Sequence, residues 1–310
     1  MSTWKLEHVP NPTGKGAPSF MVNALAFHPP SRRIAGVTAD FGCFFDVESG
    51  AQGVRWKETS GGDCAVFRAD GQLVIVGAAL AQVTPGGKRS ALTKSLFPGV
   101  DPVFSATSTG ELAVVSVCAG EQGRVTMRGV DLTTGQARWT QKTFVGGLTT
   151  HAGEVYGFEG ARVVKVDLAK GTLTTVLEAP GELACLHADE EGLWVCEQTT
   201  PVVHHFDPRG AHRAQLAIGA LHALRQVTRV RGEVLVAGVT LHDVVDGFPQ
   251  SSPFPIAEVV SIDRALREAT PLGYQDACGK AGWKPASILA IASAGDALWI
   301  GTSSGLLRAR

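Results

Sequence analysis

Residues 24–50 read ALAFHPPSRRIAGVTADFGCFFDVESG, and the alternation of short apolar runs with turn signals in them decides the fold. Ala24–Phe27, Ile34–Val37 and Cys43–Asp46 are strand-length runs. His28-Pro29-Pro30 and Ala39-Asp40 separate them, and Ser49-Gly50 turns into a fourth run ending at Trp56. Strands of this length, with a turn every eight to twelve residues, mark an all-β fold. The pattern recurs at Cys64–Phe67 and Leu73–Gly77, joined by Asp70-Gly71. Asp-Gly between apolar runs is a hairpin signal, because such turns need residues tolerant of positive φ.

The end of the first stretch recurs too. An apolar residue precedes an Asp at Phe45-Asp46, Val130-Asp131, Val166-Asp167, Phe206-Asp207 and Ile262-Asp263. The first four lead into Gly50, Gly135, Gly171 and Gly210, whereas Asp263 opens a degenerate turn. The missing second copy is best placed at Val83-Thr84 before Gly86-Gly87, which gives steps of 38, 47, 36, 40 and 56 residues. Their mean of about 43 falls in the range of four-stranded propeller blades, and the chain length then holds about seven units. Helical arrays fit worse, since no segment carries a convincing 3.6-residue apolar stripe.

The expectation is a single all-β domain over residues 1–310, a seven-bladed propeller of four-stranded antiparallel blades. The blades fall at about 23–58, 62–97, 102–143, 146–178, 181–217, 221–272 and 286–310. The last is one strand short, and residues 3–9 form an orphan strand. Adding that strand to the last blade closes the ring and leaves only short sheet edges. The Asp of each repeat then ends a blade's third strand, where it can hydrogen-bond its own turn backbone.

The stretch from Ala24-Leu25-Ala26-Phe27-His28-Pro29 to Phe45-Asp46-Val47-Glu48-Ser49-Gly50 resembles a WD40 repeat, with Phe-Asp where that family places Trp-Asp. Asp131-Leu132-Thr133-Thr134-Gly135 with Trp139 is similar to the repeat of quinoprotein-like (YVTN-type) propellers. The resemblance implies a divergent member of the WD40-like and quinoprotein-like group.

Composition narrows the function classes. A net charge of −1 gives no global pull toward nucleic acid or an anionic membrane, so nucleic acid is not an expected partner. No apolar run approaches the ~20 residues of a membrane-spanning helix. Lys5, Glu7, His8 and several prolines near the N-terminus do not read as a secretory leader, and a cytoplasmic location is expected. Six cysteines show no CxxC spacing. If Asp189-Glu190-Glu191-Gly192 is a four-residue turn, Cys185 and Cys196 face each other across a hairpin. Two reduced thiols in a core is the favoured reading, because cytosolic disulfides are rare.

Loops joining second to third strands, and blade to blade, share the top rim of a propeller. Three long irregular segments fall there: residues 10–22, 241–256 and 273–286. Such loops are more often functional than short ones. The 241–256 insertion carries His242, Asp243 and Asp246, which could bind a metal or act as acid and base. It also carries Phe248 and Phe254, whose rings could meet a partner. The 273–286 segment adds Tyr274, Lys280 and Trp283, an interface-like mixture beside Lys15 and Phe20 of the first loop. The basic stretch 208–232 (Arg209, His212, Arg213, His222, Arg225, Arg229, Arg231) reads mainly as a solvated blade edge, since alternation scatters its side chains.

Inner strands should line the central channel with the neighbourhoods of Ala24, Leu25, Val66, Phe104, Leu148, Leu183 and Ile288, mostly small and apolar. His151 and His187 are possible channel residues. Nucleophile-elbow, phosphate-loop and His-Glu-x-x-His motifs are absent. The expected function is therefore a non-catalytic protein-binding module or assembly scaffold without cofactor or metal. It would use the top rim of blades six, seven and one, with Phe248, Phe254, Tyr274, Lys280 and Trp283 as contacts. The alternative is a metal-assisted hydrolase or lyase at the channel mouth, with His242, Asp243 and Asp246 tested first.

Overall fold

The structure is a computed structural model that describes residues 4–10, 21–58, 62–93, 103–119, 124–240, 244–245, 248–249, 256–263, 265–283 and 286–310. Seven four-stranded antiparallel sheets are arranged as a propeller. Blade one is Ala24–His28, Arg33–Val37, Phe41–Asp46 and Gln52–Lys57, from the channel outward. Blades two to five follow in the same order, with inner strands Cys64–Phe67, Val103–Thr109, Gly146–His151 and Leu183–Asp189. Blade six begins at Ala223–Val230 and blade seven at Ile288–Ala294. Each inner strand lies beside the next around the ring, and that of blade seven meets that of blade one.

Burial follows position within the blade. The second strands are buried on both faces, as in Leu73–Val76 and Ala297–Thr302, which explains their unbroken apolar runs. The outer strand Gln52–Lys57 buries only Trp56. Among the described residues the apolar core is correspondingly divided into seven clusters, one at each blade junction. At the junction of blades one and two, for example, Ala35, Val37, Phe44 and Trp56 pack on Leu73, Ile75 and Val83. No blade buries its faces alone, so the repeat has to be stacked into a ring.

The repeated Asp performs the turn task expected of it. Asp131 Oδ1 accepts the backbone N–H groups of Thr133 at 2.9 Å and Thr134 at 3.0 Å. Asp46, Asp167, Asp207 and Asp263 likewise accept backbone N–H groups of their own turns. The glycines that follow sit at left-handed φ of 72° (Gly50, Gly135, Gly171) and 82° (Gly210), a region that penalises a Cβ. In blade two Thr84 substitutes for the Asp, its hydroxyl accepting the Lys88 N–H at 3.1 Å while Gly87 takes the left-handed position. In blade six the degenerate turn places Leu266 at φ 52°, where the other copies have glycine.

The N-terminal strand closes the ring. Leu6–Val9 pairs antiparallel with Leu306–Ala309, as the outer strand of blade seven. Lys5 and Arg310 extend the ladder with backbone hydrogen bonds in both directions. Trp4 docks the segment on blade six, its Nε1 donating to Glu233 Oε2 at 2.7 Å beneath the Arg231 guanidinium.

The long 56-residue step is located as well. It falls between the second and third strands of blade six, Glu233–Thr240 and Ile256–Ile262, where Val244–Val245 pairs with Phe248–Pro249. One expectation is corrected. Residues 273–286 are not wholly irregular, because Tyr274–Lys280 forms an α-helix. Seven residues are too few for a periodic signal, yet Tyr274, Ala277 and Cys278 are its buried side, at i, i+3 and i+4.

Candidate functional site: the channel mouth and top rim

The inner strands start at the top of the channel, and there five of them in succession are irregular. Each carries one extra residue relative to its neighbour: between Val103 and Ser105, Gly146 and Thr149, Leu183 and Cys185, Leu224 and Gln226, and Ile288 and Ala290. The inner strands of blades one and two pair without a break. A bulge bends a strand and re-aims its side chains. The residues at the five bulges, Phe104, Leu148, Ala184, Arg225 and Leu289 among them, all line one cavity of about 800 Å³ at the top mouth.

Most residues of the cavity wall are apolar by type, with polar groups interspersed. Phe104 is 60% exposed and meets Phe144 edge-on, with ring centroids 4.9 Å apart. Gln226 Nε2 donates to the Leu289 carbonyl at 3.0 Å, tying blade six to blade seven and fixing the orientation of the amide. Its Oε1 is then a buried acceptor without a hydrogen bond. Ser105 Oγ accepts the Leu148 N–H at 2.9 Å and joins blades three and four in the same way. Arg225 is the one charged side chain among the described wall residues, and it is exposed. Cys64 and Cys185 also line the wall, and burial pushes the Cys64 thiol up to about 12, far from a reactive thiolate.

The Cys185–Cys196 register is as the turn arithmetic requires, with Asp189 opposite Gly192 and the two cysteines directly across from each other. Both are free thiols, and burial raises Cys196 well above its ordinary value.

The rim residues separate into distinct roles. Tyr274 offers nothing to a partner: it is fully buried, and its hydroxyl donates to the Ala286 carbonyl at 2.9 Å. Partner contact by Tyr274 is therefore corrected to an anchor for the helix. Lys280, at the helix end, is exposed. Trp283 is half-buried, with its ring 5.0 Å from His8 of the closing strand and its indole over Gly305. Phe248 lies in the small blade-six hairpin. His242, Asp243, Asp246, Phe254, Lys15 and Phe20 lie outside the described residues.

The histidines and arginines are spread around the ring. His151 and His187 belong to the lower ends of inner strands, away from the cavity, and burial holds His187 below its ordinary value. Arg229 pairs with Asp189 at 2.7 Å and Glu191 at 2.6 Å, Arg213 pairs with Asp207, and Arg231 covers Trp4. The basic stretch is thus dispersed, as alternation implies. Among the described residues no group of three His, Cys, Asp or Glu is placed to hold a metal ion. Sequence reasoning placed Phe104 and Leu148 near the channel but did not single out Arg225. Nothing in the pattern of residue types announces a bulge.

Comparison with known proteins locates the fold. No family model matches the chain, and no curated protein matches it. Among solved structures, the WD40 domain of Neurospora crassa Pan2 is similar, with a TM-score of 0.65 and 11% identity over 99% of this chain and 94% of that one. The WD40 β-propeller domain of Doa1 is similar at a TM-score of 0.63 and 10% identity, over 98% and 96% of the two chains. A calcium-binding regucalcin from Agrobacterium tumefaciens is similar at a TM-score of 0.52 and 14% identity, over 74% and 85%. In fold, then, this chain is a seven-bladed β-propeller similar to those WD40 domains.

Proposed function

We propose that this propeller is a non-catalytic protein-binding module or assembly scaffold, and that it works through the top rim of blades six, seven and one. The observation that supports this reading is the helix Tyr274–Lys280. A fully buried tyrosine and the Glu258 carboxylate, which accepts the Tyr274 N–H at 2.9 Å, pin its start. Pinned in this way, the segment displays Lys280 and holds Trp283 beside the closing strand. Rigid presentation of an aromatic and a cation reduces the ordering cost that an interface must overcome. The 241–256 insertion belongs to the adjoining blade, and Phe248 and Phe254 (the latter outside the described residues) are the further contacts this reading calls for.

The catalytic alternative is less well supported. The described cavity wall supplies a guanidinium, carboxamides, hydroxyls and the Cys64 thiol, which burial holds high, and these bind and orient but are poorly matched to proton transfer near neutrality. The discriminating experiment is a pull-down with the wild type, a 241–256 deletion and a Lys280→Glu/Trp283→Ala double variant. Loss of the same partners from both variants supports the rim. Recovery of an unchanged partner set by all three proteins overturns it.

A further inference from the structure

We infer that the channel mouth is a separate small-molecule site, built for an apolar molecule that carries one carboxylate, such as a medium-chain fatty acid or an aryl-alkanoic acid. This goes beyond the rim reading, and different residues carry it.

Three observations converge. The first is the run of bulges. One extra residue at the same level of five successive inner strands is hard to ascribe to packing at a single junction, and every one of these bulges faces a common cavity. Bulges that re-aim side chains concentrate at sites. The second is volume and lining. About 800 Å³ lies within the range of small-ligand clefts, which pair apolar walls with a few fixed polar groups. Phe104 at 60% exposure is apolar surface that an occupant would cover.

The third observation is charge. Arg225 stands at its bulge exposed, and no carboxylate among the described residues pairs with it. The other described arginines of the 225–231 stretch are engaged, Arg229 by Asp189 and Glu191 and Arg231 by Trp4. Its neighbour Gln226 is fixed to Leu289, so the backbone that carries the guanidinium is held between two blades. A planar fork of donors above an apolar well matches a carboxylate on an apolar body.

The test uses the full chain and a dansyl-labelled undecanoic acid, with its methyl ester as the uncharged counterpart, followed by fluorescence. The expected result is saturable one-to-one binding of the acid. Arg225→Gln should weaken the acid roughly tenfold or more and leave the ester unchanged. Phe104→Ser should weaken both. Arg209→Gln, an exposed arginine on blade five, and the 241–256 deletion should change neither. Phe104 and Arg225 are both exposed, so their variants are expected to fold, which a thermal melt checks. The inference is overturned by absent or non-saturable binding, by equal loss in Arg209→Gln, or by equal weakening of acid and ester in Arg225→Gln. It is also overturned if a short apolar peptide with a free C-terminus binds where the labelled acid does not, since the mouth would then receive a polypeptide end.

Discussion

Arg308, in the third strand of blade seven, reaches Glu7 of the closing strand with Nη2 3.4 Å from Oε2, while its Nη1 donates to the Glu48 carbonyl of blade one at 3.1 Å. One side chain, 5% exposed, therefore joins three segments that are remote in sequence: the N-terminal strand, the C-terminal strand and the first blade's turn. Its guanidinium also lies over the Trp299 ring. Burial lowers the Arg308 pKa and Glu7 opposes that shift, so the charge is kept by its partners.

Removing residues 1–10 should uncover Leu306–Ala309, all of which are buried in the closed ring. The exposed apolar area and the unpaired strand edge together amount to several kcal/mol, or a fall in melting temperature on the order of 10 °C. An unchanged melt would refute closure by this strand. Arg308→Ala should lose about 2 kcal/mol or more, because the Val47 and Glu48 carbonyls lose their donor and the Trp299 ring loses its cover. Glu7→Gln should lose much less, since the Glu7 side chain is 37% exposed and the ion pair is screened.

The turn aspartates make acid stability a test of the repeat. Asp131 is lowered to about 2, first by hydrogen bonding to Arg138 and then by the turn N–H groups. Asp46, Asp207 and Asp263 are also lowered, chiefly by hydrogen bonds within their own turns. A depressed carboxylate stabilises the fold fully above its unfolded value of about 4, and that contribution is lost as pH falls through the folded value. The melting temperature should therefore drop between about pH 4 and pH 2, and less steeply in Asp131→Asn. The amide keeps an oxygen for the turn but no longer titrates. Identical acid slopes in the two proteins would remove Asp131 from the explanation.

The cysteine pair should remain reduced. Alkylation in denaturant without reductant should modify both Cys185 and Cys196, whereas the native protein should leave Cys196, fully buried, untouched. Protection of both thiols in denaturant would mean that a disulfide links the hairpin.

Much of the architecture was legible because its determinants are local. The apolar-Asp pair and following glycine recur at turns that every blade needs, and even the substituted copy at Thr84 keeps the geometry. The cross-strand partner of Cys185 followed from counting outward from a turn. The site was less legible because its determinants are not local. Tyr274 reads as an interface residue by type and is an anchor by burial. Arg225 reads as one of several arginines. It differs only because a bulge places it at the channel mouth while Arg229, four residues on, meets Asp189 and Glu191.

Leu266 is where two local rules conflict, and their magnitudes decide the outcome. Its φ of 52° belongs to glycine in the equivalent turns, and a side chain there costs roughly 1–2 kcal/mol. Yet Leu266 is 5% exposed and packs into the junction of blades five and six. Emptying a buried leucine site costs about 2–5 kcal/mol. Leu266→Gly should therefore destabilise by a net 1–3 kcal/mol, roughly the difference between these two terms, despite restoring the residue that the turn prefers. Leu266→Ala keeps the strained Cβ and loses the packing, so it should be the less stable of the two. If Leu266→Gly instead raised the melting temperature, backbone strain would outweigh packing at this turn, and the leucine would have to be retained for something other than stability.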